Sequence, residues 1–303
     1  MTKTTQRTTR EALHALAHEL NFKGMDRVLD AELDRAERNG TPPGELIERL
    51  LTEQASFQRE RALAYRVVQA HLPWQWTIDT FPFERQSGVS KAQILGLADL
   101  DFLRRTENLV LIGGPGTGKT GIALGLLRQA CVNGWRGRFY NAQTLFDELY
   151  ASLADRTTTR LLNSLSRMQP LVVDEIGYLN LKTEQANAFF RLMDQRYGRV
   201  STILTSNLDY PRWYELFDNK QMVDALLDRL QHHCITIRID GPSLRAPNPV
   251  GNAPGTTPTS THSKSNRTAR ARISAIVDDC FSLIVDGVST PSWTRGDARK
   301  RGV

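Results

Sequence analysis

The sequence predicts an α/β fold, a parallel sheet flanked by helices, preceded by a small all-α domain. Three observations predict it. From residue 108 onward, short apolar runs alternate with amphipathic stretches, as buried parallel strands joined by crossover helices require. A glycine-rich loop lies where the first of those strands passes into its helix. Before residue 72, apolar residues recur only at helical spacing.

In EALHALAHEL, Leu13, Leu16, Ala17 and Leu20 share a helix face. In MDRVLDAELDRAER, Met25, Val28, Leu29 and Leu33 do the same, and Gly40 closes that helix. A third helix restarts at TPPGELIERLL, with Thr41 suited to cap it and Pro42 to its first position. Its apolar face runs through Leu46, Ile47, Leu50, Leu51 and Phe57 towards RERALAYRVVQA. This module, residues 1–70, has little to bury by itself. Between 72 and 107 the pattern weakens: LPWQWTIDTFPFERQSG is aromatic and irregular, and KAQILGLADLDFLRR reads as one helix.

The second domain is expected at 71–246. Its strands are NLVLI, GRFYNA, PLVVDEI, STILTSN and CITIRID. Between them lie helices at KTGIALGLLRQACVNG, AQTLFDELYASLA, EQANAFFRLMDQRYG and MVDALLDRLQHH. Residues 247–270 are rich in Pro, Thr, Ser, Asn and Gly and bury too little to order themselves. The whole segment 247–303 is expected to be a disordered basic tail. A nonspecific DNA-binding arm and a partner-binding segment are its other readings.

At 303 residues with 40% hydrophobic side chains, the chain is long enough for two domains with a real core. A net charge of +6 suits an anionic partner or simple solubility equally. Cys131, Cys234 and Cys280 form no CxxC and are odd in number, which points to a reducing compartment. The N-terminus has no apolar core of a secretory signal, and no apolar run is long enough to span a bilayer. A cytoplasmic location and no membrane partner are expected.

GGPGTGKT, Gly113 to Thr120, matches G-x-x-x-x-G-K-[ST] between a strand and a helix. Gly113, Gly114, Pro115, Gly116, Thr117 and Gly118, with Gly121 beyond, form a cradle in which backbone N–H groups and a helix N-terminus meet phosphate. Lys119 reaches the β- and γ-phosphates, and the Thr120 hydroxyl suits Mg²⁺. By itself the loop selects ATP or GTP. In LVVDEIGYL, Asp174 ends a strand 54 residues after Thr120 and would hold Mg²⁺; Glu175 would polarise an attacking water. STILTSN ends on Asn207. If its strand lies between those of the loop and the acid pair, Asn207 faces the γ-phosphate. Thr205 and Ser206 either support the site or merely end the strand.

Phosphate loop, VVDEIGYL, STILTSN and ALLDRLQHH together resemble the IstB-like transposition helper ATPases, AAA+ proteins related to the DnaC-type helicase loaders. The resemblance runs from about residue 20 to 246 and includes FKGMDRVLDAEL and the FPF segment. It implies an AAA+ P-loop NTPase core and a cytosolic ATPase that uses ATP and Mg²⁺. It also implies a homo-oligomer with ATP at subunit interfaces, assembled on double-stranded DNA to assist an integrase-like transposase. It places an arginine finger, inserted into a neighbour's site, at Arg229; Arg196 is the runner-up. Arg245, in GPSLR, resembles the family's second sensor, although Leu244 replaces the usual Tyr.

The DNA claim rests on the resemblance. From the residues, Arg59, Arg61 and Arg66 in FQRERALAYR are the candidates, Arg59 and Arg66 sharing a face or forming an ordinary solvated surface. His14 and His18 have ligand spacing but no third partner, and His232 and His233 read as the end of the Arg229 helix. A helicase loader, a small-molecule kinase and a nucleotide-stabilised binding module without turnover remain as alternatives.

Overall fold

The computed structural model describes residues 3–245 except Tyr178, Asn180 and Asp218; the expected tail lies outside the described residues. Those residues form two compact units divided between Ala64 and Tyr65.

The first unit is helical: α1 (Lys3–Glu19), α2 (Lys23–Asn39) and most of α3 (Pro43–Gln69). Gly40 closes α2 in the left-handed conformation, at φ 61°. Helix α3 starts one residue later than expected, because the Pro42 carbonyl accepts from Glu45 and Leu46 and Pro42 takes the capping position. Between α1 and α2 runs a polar seam. Arg10 meets Asp34 at 2.7 Å and Glu37 at 3.2 Å, and His14 meets Asp26 at 2.6 Å and Asp30 at 3.2 Å. The Gln54 side-chain oxygen accepts from the Gly24 and Met25 amides at the start of α2.

The second unit is a five-stranded parallel sheet in the order β2-β3-β4-β1-β5. The strands are β1 (Asn108–Gly113), β2 (Arg138–Asn141), β3 (Leu171–Ile176), β4 (Thr202–Ser206) and β5 (Cys234–Ile239). Strand β4 lies between β1 and β3, with Ile112 opposite Ser206. The crossover helices are α6 (Lys119–Val132), α7 (Ala142–Ala154), α9 (Thr183–Arg196) and α10 (Lys220–His232). Helix α6 is buried almost all round, and Phe146, Phe189 and Trp213 are fully enclosed in the core.

Two elements were not expected: α8 (Thr158–Leu165) and a 3-10 turn at Tyr210–Glu215. The helix read across 91–105 breaks into α4 (Lys91–Leu97) and α5 (Asp101–Arg104), with Leu100 between them at φ 62°. Burial explains the break: Leu97, Leu100, Phe102 and Leu103 are all inside, which one straight helix face does not accommodate.

Candidate nucleotide site

Strand β1 delivers the chain to the phosphate loop at the carboxyl edge of the sheet. Gly116 (φ 79°) and Gly118 (φ 94°) hold left-handed conformations that an L side chain resists. The Lys119 ammonium folds back onto the Gly113 and Gly114 carbonyls, both at 2.8 Å. Burial draws its pKa below the ordinary lysine range, while Asp174 and Glu175 oppose that shift.

The Thr120 hydroxyl donates to both Asp174 carboxylate oxygens, at 2.9 and 3.0 Å, and Thr205 donates to Asp174 Oδ1 at 2.5 Å. Asp174 is 4% exposed. Burial raises its pKa and the two hydroxyls counter the rise. Thr205 also accepts from the Glu175 amide at 2.9 Å, so it supports the site. Ser206 bonds Ile176 and Leu208 instead and builds the turn that ends β4.

Glu175 sits in an irregularity between Val173 and Ile176, at φ 65°, exposed between buried neighbours. Its carboxylate accepts from Asn141 Nδ2 at 3.0 Å. Asn141 also caps α7 through its side-chain oxygen, which accepts from Gln143 N–H at 3.0 Å. Asn207 packs onto Gly177, where an added Cβ would fall 1.8 Å from Asn207 Oδ1. A cavity of about 770 Å³ brings Gly116, Lys119, Thr120, Glu175, Asn207 and Arg245 together.

Trp74, Trp76, Phe81 and Leu244 also line that cavity. Phe81 closes on Gly118, where a Cβ would lie 2.7 Å from its ring, and the Trp76 ring lies 3.6 Å from a Cβ built on Gly121. From the sequence, none of Trp74, Trp76, Phe81 and Asn141 is assigned to the site, and FPF and Leu244 are named only for the resemblance. The available signal was four aromatics, Trp74, Trp76, Phe81 and Phe83, in a stretch with neither helical nor strand period.

The arginines separate. Arg196, the runner-up finger, is 1% exposed. Its guanidinium donates to Leu165 and Ser201 carbonyls at 2.6 Å, the Met168 carbonyl at 2.9 Å and Thr202 Oγ1 at 2.9 Å. That saturation makes it a core residue and removes it as a finger. Arg229 lies on α10, 43% exposed, paired with Asp194 at 3.2 Å. It borders Asn108 at the amino end of β1 and does not line the phosphate-loop cavity of its own subunit.

Of the DNA candidates, Arg59 and Arg61 are exposed, and Arg59 Nε bonds the Ala55 carbonyl of its own helix. Arg66 does not share that free surface: it is half-buried and donates to the Cys131 carbonyl at 2.8 Å. His232 meets the Tyr197 hydroxyl at 3.1 Å. Among the described residues no three His, Cys, Asp or Glu side chains cluster as metal ligands.

The family described as IstB-like ATP binding protein matches residues 15–250. An ATP-binding protein of insertion sequence IS21 from Pseudomonas aeruginosa is 35% identical over 233 residues, 77% of this chain and 88% of the relative. One of insertion sequence IS5376 from Geobacillus stearothermophilus is 30% identical over 236 residues, 78% of this chain and 94% of the relative. Among solved structures, the DnaC helicase loader is similar over 55% of this chain and 97% of its own, at 21% identity and a TM-score of 0.47. DnaI is similar over 55% of this chain and 91% of its own, at 18% identity and a TM-score of 0.48. Since the family match runs through both the helical unit and the nucleotide core, this chain belongs to the IstB-like ATP-binding proteins.

Proposed function

We propose that this protein hydrolyses ATP, assembles with further copies of itself on duplex DNA, and assists a partner transposase. The observation that carries the hydrolytic part is Glu175, placed at the cavity by Asn141 and Thr205, one residue from the Asp174–Thr120 pair. Such a carboxylate accepts a proton from a water in line with the γ-phosphate.

The remaining residues take roles that their positions permit. Backbone N–H groups of the loop and Lys119 bind phosphate. Trp76 and Phe81 flank the base. Asn207 orients the water, and Arg245 meets the nucleotide from the same subunit. Thr120 and Asp174 would hold Mg²⁺: a buried carboxylate against a hydroxyl is the all-oxygen donor pair this ion favours. The metal would neutralise phosphate charge. Arg229, outside its own cavity, is the residue that a neighbouring subunit would receive as its finger.

The DNA and transposase parts rest on the relatives, which are named as proteins of insertion sequences. They are compatible with the net charge of +6 and with Arg59, Arg61, Arg156 and Arg160, all exposed and without an acidic partner among the described residues. A cytoplasmic location fits that role. No helix among the described residues is long and apolar enough to cross a membrane.

The deciding experiment measures phosphate release and particle size with and without duplex DNA. Turnover that rises with DNA, together with large ATP-dependent particles, supports the reading. Absence of any DNA or partner effect sinks it, and transfer of phosphate to a small acceptor would identify a kinase instead.

A further inference from the structure

The phosphate loop is gripped from its outer side by a side chain outside the cavity wall. Gln86 is 1% exposed. Its amide nitrogen donates to the Thr117 carbonyl at 2.9 Å and to the Pro242 carbonyl at 3.1 Å, and its oxygen accepts from the Gly88 amide at 3.0 Å. Both amide protons and the oxygen are thus engaged. One peptide earlier in the loop, the Leu244 amide donates to the Gly116 carbonyl at 2.8 Å.

Glycines make this approach possible. A Cβ on Gly241 would fall 1.6 Å from Gln86 Oε1, one on Gly116 2.1 Å from Ser243 Oγ, and one on Gly88 2.5 Å from the Asp240–Gly241 backbone. Three stretches of backbone, at 86–88, 116–118 and 240–244, therefore meet around one buried amide.

The consequence follows from peptide geometry. In a planar trans peptide the carbonyl and the N–H point in opposite directions. Holding the Gly116 and Thr117 carbonyls outward turns the Thr117 and Gly118 N–H groups the other way. Neither N–H has an acceptor among the described residues. These are the donors with which such a loop grips phosphate.

We infer that Gln86 is a positioning residue for phosphate binding, acting through the Thr117 carbonyl, and that residues 240–245 are a strap it locks to the loop. Through that strap Leu244 and Arg245 are set on the cavity wall. The inference rests on the nucleotide reading of the cavity.

The test titrates ATP, ADP and adenosine against the full chain, Gln86→Glu and Gln86→Met, below all thermal midpoints. Gln86→Glu keeps the shape and the acceptor for Gly88; ionised it has no proton for Thr117 or Pro242, and protonated it has one where two are needed. Gln86→Met removes every hydrogen bond without adding charge. Both variants should keep the circular dichroism of the parent. The dissociation constants of ATP and ADP should rise together by about ten-fold, or about 1.4 kcal/mol. Adenosine affinity should stay unchanged, since the inner N–H groups serve phosphate. Nucleotide affinities within two-fold of the parent overturn the inference. So does loss of fold in both variants, because the amide would then be holding the core. A parent that binds neither ATP nor ADP brings down the nucleotide reading itself, and this inference with it.

Discussion

Asn141 and Glu175 are joined by a 3.0 Å hydrogen bond across the edge of the sheet, from the end of β2 to the carboxylate on β3. The bond ties the proposed water-activating group to the cap of α7, so a single side chain sets both.

Asn141→Asp separates the two roles. Aspartate caps a helix as well as asparagine does, but it sets a like charge beside Glu175 and removes the donor. Thermal stability should change by less than about 1 kcal/mol. Turnover should fall by about ten-fold or more without recovery at saturating ATP. An unchanged kcat would show that the bond does not position Glu175.

Glu175 also carries backbone strain, at φ 65°. Glu175→Gln keeps the strain and loses the base, so phosphate release should fall by about 10²-fold or more while ATP still binds. Glu175→Gly loses the base and relieves the strain. Its thermal midpoint should rise above that of Glu175→Gln by about 2–4 °C, the equivalent of about 1 kcal/mol in a protein of this size. Equal midpoints in calorimetry would mean that the site stores no strain.

Arg229 and Arg196 should respond in opposite ways. Arg229→Ala leaves an exposed position and should cost little stability, yet lower kcat by about 10³-fold if the guanidinium completes a neighbour's site. Mixing it with Glu175→Gln subunits should recover activity at mixed interfaces, because one partner supplies the intact site and the other the finger. No recovery on mixing counts against a role in trans. Arg196→Ala strips the donors from three buried acceptors and one half-buried one and should cost about 3 kcal/mol or more, seen as lost soluble protein before any kinetic effect.

His14 should make the α1–α2 seam sensitive to pH. Its hydrogen bonds to Asp26, and then to Asp30, raise its pKa above the ordinary 6.5. The folded value therefore exceeds the unfolded one. The stabilisation is complete below about pH 6.5 and is lost as pH rises through the raised value. Amide exchange in α1 should be slower at pH 6 than at pH 8.5, after correction for intrinsic rates, and His14→Gln should abolish that difference. The same pH dependence in the variant would assign it to a group other than His14.

Much of the site could be read before the fold was known, because phosphate binding constrains contiguous residues. Gly113 to Thr120 form one continuous loop and Asp174 and Glu175 are neighbours on one strand, so each group shows in the sequence as a unit. Thr205 and Ser206 could not be told apart there, since two neighbouring hydroxyls look alike until β4 is set beside β3. The aromatic wall and Asn141 escaped for different reasons: Trp74, Trp76 and Phe81 lie in a stretch with no regular period, and Asn141 reads as a strand end or a helix cap. The single helix read over 91–105 failed because periodicity does not show where a buried leucine, Leu100, forces a turn.

The sequence by itself determined the chemistry available: a triphosphate cradle, a lysine, an acid pair and a polar strand end, each encoded within a few residues. Tertiary structure alone decided how those groups are held. It turned Arg196 into a core strut and Arg66 into a tie to Cys131. It also brought Gln86 and the 240–245 strap against the loop, from 31 residues before Thr117 to 156 residues beyond Gln86 itself. The physical reason is that local spacing specifies which atoms a segment presents. Which other segment meets them depends on burial and strand order across the whole sheet.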